Sequence, residues 1–489
     1  MTKPLRLLPL LLALGSSQAM SAPWVSPNDL HLRADIQRLA DEGVIKVPVN
    51  TFPLMWASIL TDLENTSLRD LSPSARAAFT RVQHRAYMDT KTGASVEVGI
   101  GGATEEARFQ HFGSPLREQG EANVTVAYQG SRFAGQLSAT YAHDPIDGDK
   151  ARFDGSYIAM VLGNWVFSAD MQEKWWGPGW DSALLMSNNA RPMPTLSLSR
   201  NRADAFETKW LSWIGPWTLT TGISLMDDER YVEDALLWTF RASAKPLPQL
   251  EIGVSRAAQI CGEGRPCDLG TWGDMLTGND NPKNGEPEPG NQVAGIDLRW
   301  GSTFRGTPYG IYWETMGEDS FGLDKFPPFQ AKSYVYGADI SYQIGEQQVR
   351  TFLEYSDTSA WCNGFFNCTY EHSIYKSGYR YNNRSIGSTY DNDAYTYTLG
   401  HVGFMSNGHQ WKANIRYLDL NHDNSNRASP GGNTVAERAE VMKQIDFSYI
   451  MPLFKGRLEV GAEIHHSSYE DDIDSKTDGS VWADWRYRF

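Results

Sequence analysis

The C-terminal stretch Ser480–Phe489 reads S-V-W-A-D-W-R-Y-R-F. Alternate positions form an apolar, mainly aromatic set: Val481, Ala483, Trp485, Tyr487 and Phe489. The other set is mostly charged: Trp482, Asp484, Arg486 and Arg488. Alternation with a period of two and a terminal aromatic residue is typical of the last strand of a membrane barrel. The same strand at the edge of a soluble sheet would leave an apolar edge open to aggregation. This end of the chain therefore predicts an all-β transmembrane antiparallel β-barrel.

Similar segments of roughly ten residues with alternating hydrophobicity follow one another from about Ala94 onward. Tight turns such as Gly130-Ser131 alternate with long loops rich in Asp, Asn, Gly and Pro: 259–291, 318–331, 357–392 and 420–436. Such barrels keep short turns periplasmic and have even strand numbers. We therefore expect about 18 strands. This count treats Thr195–Arg202 as part of one long insertion, Trp175 to Ala203, and not as a wall strand.

The N-terminus predicts a signal peptide over residues 1–22. Lys3 and Arg6 precede an apolar run from Leu7 to Leu14, which is too short to span a bilayer, and small residues follow. We expect cleavage after Ala19, with the Ser21–Ala22 region as the alternative. The net charge of −15 alone would suit a secreted soluble protein, but 17 Trp, 22 Tyr and 20 Phe favour a barrel, whose rings gather at the membrane interfaces.

Residues 23–92 predict a periplasmic bundle of three short helices, followed by the barrel over residues 93–489. A helix begins at Ser26-Pro27 and ends at Gly43, a second runs from Pro53 to Leu63, and a third begins at Ser72-Pro73. Two interpretations of the bundle stay open. It is either a plug or docking module for a periplasmic or secretion partner, or a cap that stabilises the barrel rim.

The four cysteines form two pairs, each with five residues between its members. An exported chain with an even number of cysteines favours two local disulfides, Cys261–Cys267 and Cys362–Cys368. A metal site is the rival, and pairing between the two loops stays open. We expect no cofactor. Bridging of a ligand by divalent cations is an alternative, with Asp268, Asp274, Asp280 and Glu286 as oxygen ligands, although their spacing matches no known calcium loop.

The densest aromatic cluster lies in the predicted insertion and has two interpretations. Exposed indoles beside amides and Arg would form a platform for sugar rings. Alternatively, the insertion folds into the lumen, where buried polar groups must be satisfied, and this second interpretation is favoured. The residues are Trp175, Trp176, Trp180, Asn188, Asn189 and Arg191.

The long loop from Asp357 to Asn392 is the preferred candidate for an external glycan surface, because Tyr, Trp and Asn are adaptable binding residues. Its charges nearly cancel, so an anionic polysaccharide would need local pairing with Arg. The predicted polysaccharide-binding residues are Trp361, Tyr370, Tyr375, Tyr379, Arg380 and Arg384.

The sequence carries little that favours an enzyme. No G-x-S-x-G motif is present. The pair His465-His466 gives a weak indication of a lipid hydrolase, but the sequence shows no catalytic partner for either histidine. We therefore predict no catalytic residues.

Several motifs follow one another in an order shared with one known family. They are L-H-L-R-A-D-I-Q-R-L-A-D-E-G-V-I-K-V-P-V-N-T-F-P-L-M-W from Leu30, E-K-W-W-G-P-G-W from Glu173, S-N-N-A-R-P from Ser187, C-G-E-G-R-P-C from Cys261, Y-E-H from Tyr370, G-Y-R-Y from Gly378 and R-S-I-G from Arg384. Over essentially the whole mature chain, the sequence resembles the Wzi family of outer-membrane capsule-assembly proteins.

This resemblance implies an eighteen-stranded barrel in the bacterial outer membrane, with the helical bundle in the periplasm and the long loops at the cell surface. It also implies lectin-like, non-catalytic binding and anchoring of exported or capsular polysaccharide. The alternative is a porin-like channel or transport protein for small solutes or saccharides. We expect a monomer in contact with outer-membrane lipid, and no nucleic-acid partner.

Overall fold

The computed structural model describes residues 24–277, 288–320, 329–360, 369–425, 433–469 and 475–489. The predicted signal peptide, Trp361 and the predicted Cys362–Cys368 pair lie outside the described residues.

Within the described residues, eighteen antiparallel strands of six or more residues form a closed barrel, as the sequence predicts, and the two-residue strand Ala151–Arg152 pairs onto one of them. Closure is made by the last strand, which pairs with the first from Trp482↔Ala103 to Arg488↔Glu97. The strands are β1 Gly93–Ala103, β2 Gly120–Gln129, β3 Phe133–His143, β4 Tyr157–Leu162, β5 Trp165–Asp170, β6 Thr195–Arg200, β7 Trp217–Leu225, β8 Leu236–Leu247, β9 Leu250–Ile260, β10 Gly290–Phe304, β11 Thr307–Ser320, β12 Phe329–Ile344, β13 Gln347–Asp357, β14 Tyr395–Phe404, β15 Gln410–Leu420, β16 Glu440–Leu453, β17 Gly456–Tyr469 and β18 Lys476–Arg488.

Side chains alternate between the outer surface and the lumen along the wall. In β18, Val481 is exposed on the outside, as is Phe489 directly after the strand, whereas Asp484 is buried on the inside. This arrangement matches the two faces that the C-terminal sequence predicts, and it follows from the period of two that strand geometry imposes.

One wall strand was predicted wrongly. Thr195–Arg200 pairs with β5 on one side and β7 on the other, so it belongs to the wall. The insertion therefore occupies residues 171–194 and not Trp175 to Ala203.

The two ends of the barrel differ in their connections. The short-turn end carries tight turns such as Gly163-Asn164 and Phe454-Lys455, while the long-loop end carries the inward-folding segments 104–119, 171–194 and 369–394. One connection at the short-turn end, residues 201–216, is long.

Three helices precede the barrel: α1 Leu30–Asp41, α2 Trp56–Glu64 and α3 Pro73–Thr90. The N-cap of α1 is Asp29 and not Ser26, because the Asp29 carboxylate accepts a hydrogen bond from the Leu32 N–H. Gly43 follows the C-cap with φ +76°, a conformation that favours glycine. The cap at Ser72 and Pro73 is as predicted.

Helix α1 lies inside the short-turn end, where all twelve of its residues are buried and it contacts β10, β11 and β14. A fourth helix, α4 Leu269–Thr277, lies in the loop between β9 and β10. Among the described residues, none of the helices combines the length and the apolar character needed to cross a membrane.

Candidate functional site

The insertion 171–194 fills the middle of the lumen. Trp175 and Trp176 are buried and pair as a short strand with Thr51-Phe52. The Glu354 carboxylate, from β13, accepts hydrogen bonds from three successive backbone N–H groups, those of Trp180, Asp181 and Ser182. A buried loop needs such partners, because water cannot satisfy its backbone there.

Arg33 of α1 lies in an aromatic cage that joins the helix to the insertion. Its guanidinium carbon is 4.4 Å from the ring centroid of Trp180 and 4.6 Å from that of Phe112. Nη2 donates to the carbonyls of Pro178 and Gly179 at 3.0 and 2.7 Å. None of the ion pairs found among the described residues includes Arg33, and burial lowers its pKa to about 9.

The polar residues of the insertion are also buried, and each has a defined partner. Asn188 donates to the carbonyl of Pro27 and Asn189 to that of Ser385. Arg191 bonds carboxylates of the β3–β4 loop, including both oxygens of Asp154 at 2.8 and 3.1 Å. These side chains therefore hold the insertion against other segments of the lumen.

The loop before β14 folds inward, contrary to the predicted external surface. Tyr370, Tyr375 and Tyr379 are at most 1% exposed, and Arg380 is at most 4% exposed. The hydroxyl of Tyr379 donates to the carbonyl of Leu185 at 3.0 Å. Tyr370 and Tyr379 thus bond to the insertion, whereas Tyr375 bonds to the carbonyl of Cys261 and Arg380 to Asp391. These four buried residues form no surface that a chain of sugars could reach, whereas Arg384 is only half-buried.

A cavity of about 430 Å³ remains between this packed centre and the long-loop end. It is bounded by β1, β15, β16, β17 and β18 on the wall side and by residues 105–118 and 382–384 on the lumen side. Volumes of this order are typical of small-molecule sites. Its lining mixes charged, amide and aromatic groups and includes Glu105, Glu106, Arg108, Phe109, His111, Asp181, Asn382, Asn383, Arg384, Asn414, Arg416, Asp446, His465 and Trp482.

The floor of the cavity is a charged network. Arg416 Nε donates to Asp181 at 2.9 Å, and its Nη1 bonds Asp446. Burial opposes ionisation of Asp181, but Arg416 and His111 outweigh it and lower its pKa to about 2. Burial also lowers the pKa of His111, with Arg416 acting in the same direction. Asp181 is thus ionised and held in place at neutral pH.

The rim of the cavity is a two-residue hairpin. Asn382 and Asn383 have φ of +47° and +56°, and they join the short strands Arg380–Tyr381 and Arg384–Ser385. Positive φ at both central positions is the geometry of a tight hairpin turn, which Asn tolerates. Arg384 ties this rim to the neighbouring loop through the carbonyls of Ala107 and Arg108.

Two aromatic rings complete the lining. Phe109 packs edge-on against Tyr390, with ring centroids 5.2 Å apart. Trp482 faces the lumen from β18, and its buried Nε1 has no hydrogen-bond partner among the described residues. Polar groups beside an aromatic surface suit a hydroxylated, partly apolar ligand such as a sugar.

The remaining predicted sites have defined places in the structure. The Cys261–Cys267 disulfide is present, as predicted. Asp268 accepts from the N–H groups of Gly270 and Thr271 at the start of α4, and Asp280 and Glu286 lie outside the described residues. Within the part of the chain that the structure describes, no group of three His, Cys, Asp or Glu residues is placed to hold a metal. His465 lines the cavity, and its Nδ1 lies 3.1 Å from Glu463 Oε1.

Comparison with known proteins gives the chain its family. A family model described as "Capsule assembly protein Wzi" matches residues 90–480. This chain belongs to the Wzi family. An uncharacterised 55.8 kDa protein in the cps region of Klebsiella pneumoniae is 30% identical over 352 residues, which cover 71% of this chain and 68% of that protein.

A solved structure shares the Wzi fold over nearly the whole chain. It is that of Escherichia coli Wzi, whose published description is an outer-membrane protein involved in group 1 capsule assembly and a carbohydrate-binding β-barrel. The TM-score is 0.83 at 24% identity, over 96% of this chain and 100% of that one.

Sequence reasoning missed most of the cavity of this Wzi-family barrel. The sequence analysis assigns no role to segment 104–119, where Phe109, Phe112 and Leu116 are all buried. Three large apolar residues in a short connection are a signal that it folds inward. Trp482 carried a second signal, because it is the one aromatic residue on the charged face of β18.

Proposed function

We propose that this barrel spans the outer membrane and binds exported, capsular polysaccharide without a chemical step. Membership of the Wzi family carries the proposal. The carbohydrate binding described for Escherichia coli Wzi supports it. The short-turn end, with the helices, then lies in the periplasm, and the long loops lie at the cell surface.

The cavity at the long-loop end is the proposed binding site. It lies at the end where surface polysaccharide is present, and its rim offers two Asn side chains beside Arg384. Its aromatic and amide groups suit sugar rings and hydroxyls, and its paired charges suit either a neutral or an acidic sugar.

The filled lumen favours binding over the porin-like alternative. Helix α1 occupies the short-turn end, and the insertion occupies the middle, with Trp175 and Trp176 buried against Phe52. A channel for solutes needs a continuous aqueous path, as in open porins. We therefore expect purified protein in planar bilayers to show little stable conductance.

A binding measurement with a rim variant tests the site. Asn382→Gly/Asn383→Gly removes both amides while glycine keeps the positive φ values, so the hairpin is retained. We expect roughly tenfold weaker binding of polysaccharide purified from the medium of the source strain, measured by calorimetry, because two hydrogen bonds are lost. Lys455→Gly is the matched control, because Lys455 has φ +63° in a turn at the opposite end.

Retention of polysaccharide by cells is the second readout. A deletion strain should shed material that wild-type cells hold, and the intact gene should restore retention. Unchanged retention together with a large bilayer conductance would replace this proposal with the channel. Equally weakened binding by the rim variant and the control variant would contradict the proposal that the cavity is the binding site.

A further inference from the structure

Among the described turns at the short-turn end, the connection between β6 and β7, residues 201–216, is the longest. Neighbouring turns there are as short as Gly163-Asn164. This connection exposes Trp210 by 88%, Leu211 by 40% and Trp213 by 69%. Large aromatic side chains are seldom so exposed in a folded protein without a partner surface.

The connection lies against the outer face of the barrel. By strand alternation, Arg200 shares a face with the exposed Leu196, and Trp217 shares a face with the exposed Leu225. The Arg200 guanidinium carbon is 3.6 Å from the Trp217 ring centroid. The ring of Phe206 also stacks on Trp217, with the two ring centroids 4.7 Å apart and the ring planes at 14° to each other. The segment is therefore anchored to the lipid-facing surface.

The wall is short at the same place. Strands β4, β5 and β6 have six residues each, whereas β10 has fifteen and β12 sixteen. A tilted strand needs about 9–11 residues to cross the hydrocarbon. The regular strand pairing in this sector is therefore shorter than that crossing, and the exposed tryptophans add apolar surface directly beyond its short-turn end.

We propose that Lys209–Trp213 inserts into the headgroup region of the periplasmic leaflet as an in-plane anchor. The proposal rests on the outer-membrane location given above. Indole rings favour this region because they bury an apolar body while the N–H stays among polar groups. Lys209 reaches lipid phosphates, while Arg202, Asp204 and Glu207, all exposed, remain on the aqueous side, where Arg202 pairs with Asp204 at 3.6 Å. The lipid surface is favoured over a periplasmic protein because the patch continues the lipid-facing wall.

Fluorescence quenching by lipid tests the placement. Trp210→Cys, labelled with an environment-sensitive dye, is reconstituted as the full chain in nanodiscs of ordinary or brominated phosphatidylcholine. The Trp210 side chain is almost free of protein contacts, so the variant should fold. We expect about a twofold loss of fluorescence in brominated discs, because bromine quenches only dyes within the bilayer.

Two matched positions make the result decisive. Leu196→Cys, on the lipid-facing wall, should be quenched, and Glu64→Cys, exposed at the end of α2, should not. Quenching at 210 and 196 but not at 64 supports the anchor. Quenching at 196 alone overturns it, leaves the membrane location intact and points to a periplasmic protein as the occupant. Absence of quenching at 196 would instead contradict the outer-membrane location.

Discussion

The two charged networks inside the barrel differ in what surrounds them. At the short-turn end, Asp41 of α1 and Asp339 of β12 alternate with Arg299 and Arg350. All four side chains are at most 2% exposed. At the long-loop end, Asp181, Arg416 and Asp446 are nearly as buried but form the floor of a cavity.

The difference indicates that the network around Asp41 stabilises the structure, whereas the network around Asp181 supports ligand binding. Around Asp41, two carboxylates balance two guanidinium groups, and they join the helix to three wall strands. Around Asp181, the charges hold one another, while the amides of Asn382 and Asn383 above them line open space. The first network should therefore govern how firmly α1 is held, and the second should position the ligand.

The largest expected effect is that of Asp41→Ala. Removing one carboxylate leaves Arg299 and Arg350 to share Asp339, their one remaining acidic partner among the described residues, an imbalance that typically costs about 3–5 kcal/mol. We expect faster proteolysis of the helical segment and a lower unfolding temperature, with polysaccharide affinity little changed. Asp204→Ala, at an exposed pair with Arg202, is the control and should cost less than about 1 kcal/mol. Equal stability of the two variants would contradict the structural role.

Arg33→Met should have a smaller effect. Arg33 carries a buried charge that forms no ion pair with the described residues, so its removal also relieves an unfavourable desolvation. The loss of two carbonyl hydrogen bonds and of the contacts with Trp180 and Phe112 should leave a net cost of about 2 kcal/mol. Chemical unfolding monitored by Trp fluorescence measures it. A cost larger than that of Asp41→Ala would reverse the ranking of the two contacts.

The sequence was sufficient for the barrel, because each long strand repeats the alternation seen in β18. The number 18 came from the rule of even strand numbers and from the family resemblance, and it was correct although one wall strand had been assigned to a loop. The sequence was not sufficient for Thr195–Arg200, a strand with only two apolar residues, Leu196 and Leu198. Its outward face is short, and its inward Ser and Thr resemble a loop. The assignment failed where the wall itself departs from the usual strand length.

The candidate site was harder to predict than the fold. Tyr370 and Tyr379 bury their rings and still donate hydrogen bonds through their hydroxyls, so their residue types suit a buried position and an exposed loop equally. Which loops turn inward depends on long-range partners, such as the pairing of Trp175 with Phe52, that no local pattern contains.

A pH titration of His31 sharpens the contrast further, because this residue belongs to the short-turn end alone. His31 lies in α1, where its Nε2 is 3.1 Å from the carbonyl of Trp411 and its ring packs edge-on against Phe404. Burial lowers its pKa to about 4, so the folded protein keeps it neutral where the unfolded chain, with the ordinary value of 6.5, binds a proton. Its stability contribution is therefore present above pH 6.5 and is lost as the pH falls toward 4.

The loss should amount to about 1.4 kcal/mol per pH unit inside that window. Asp35 acts in the opposite direction, because burial raises its pKa to about 6 and its contribution grows as the pH falls below that value. The readout is therefore the difference in unfolding free energy between wild type and His31→Gln, which keeps a donor for Trp411 but does not titrate. That difference should change between pH 7 and pH 5. Any change in the polysaccharide affinity of the folded protein over the same range should be the same for wild type and variant. A constant difference would mean that His31 is protonated in the folded barrel and that the helical end is less tightly closed than its packing indicates.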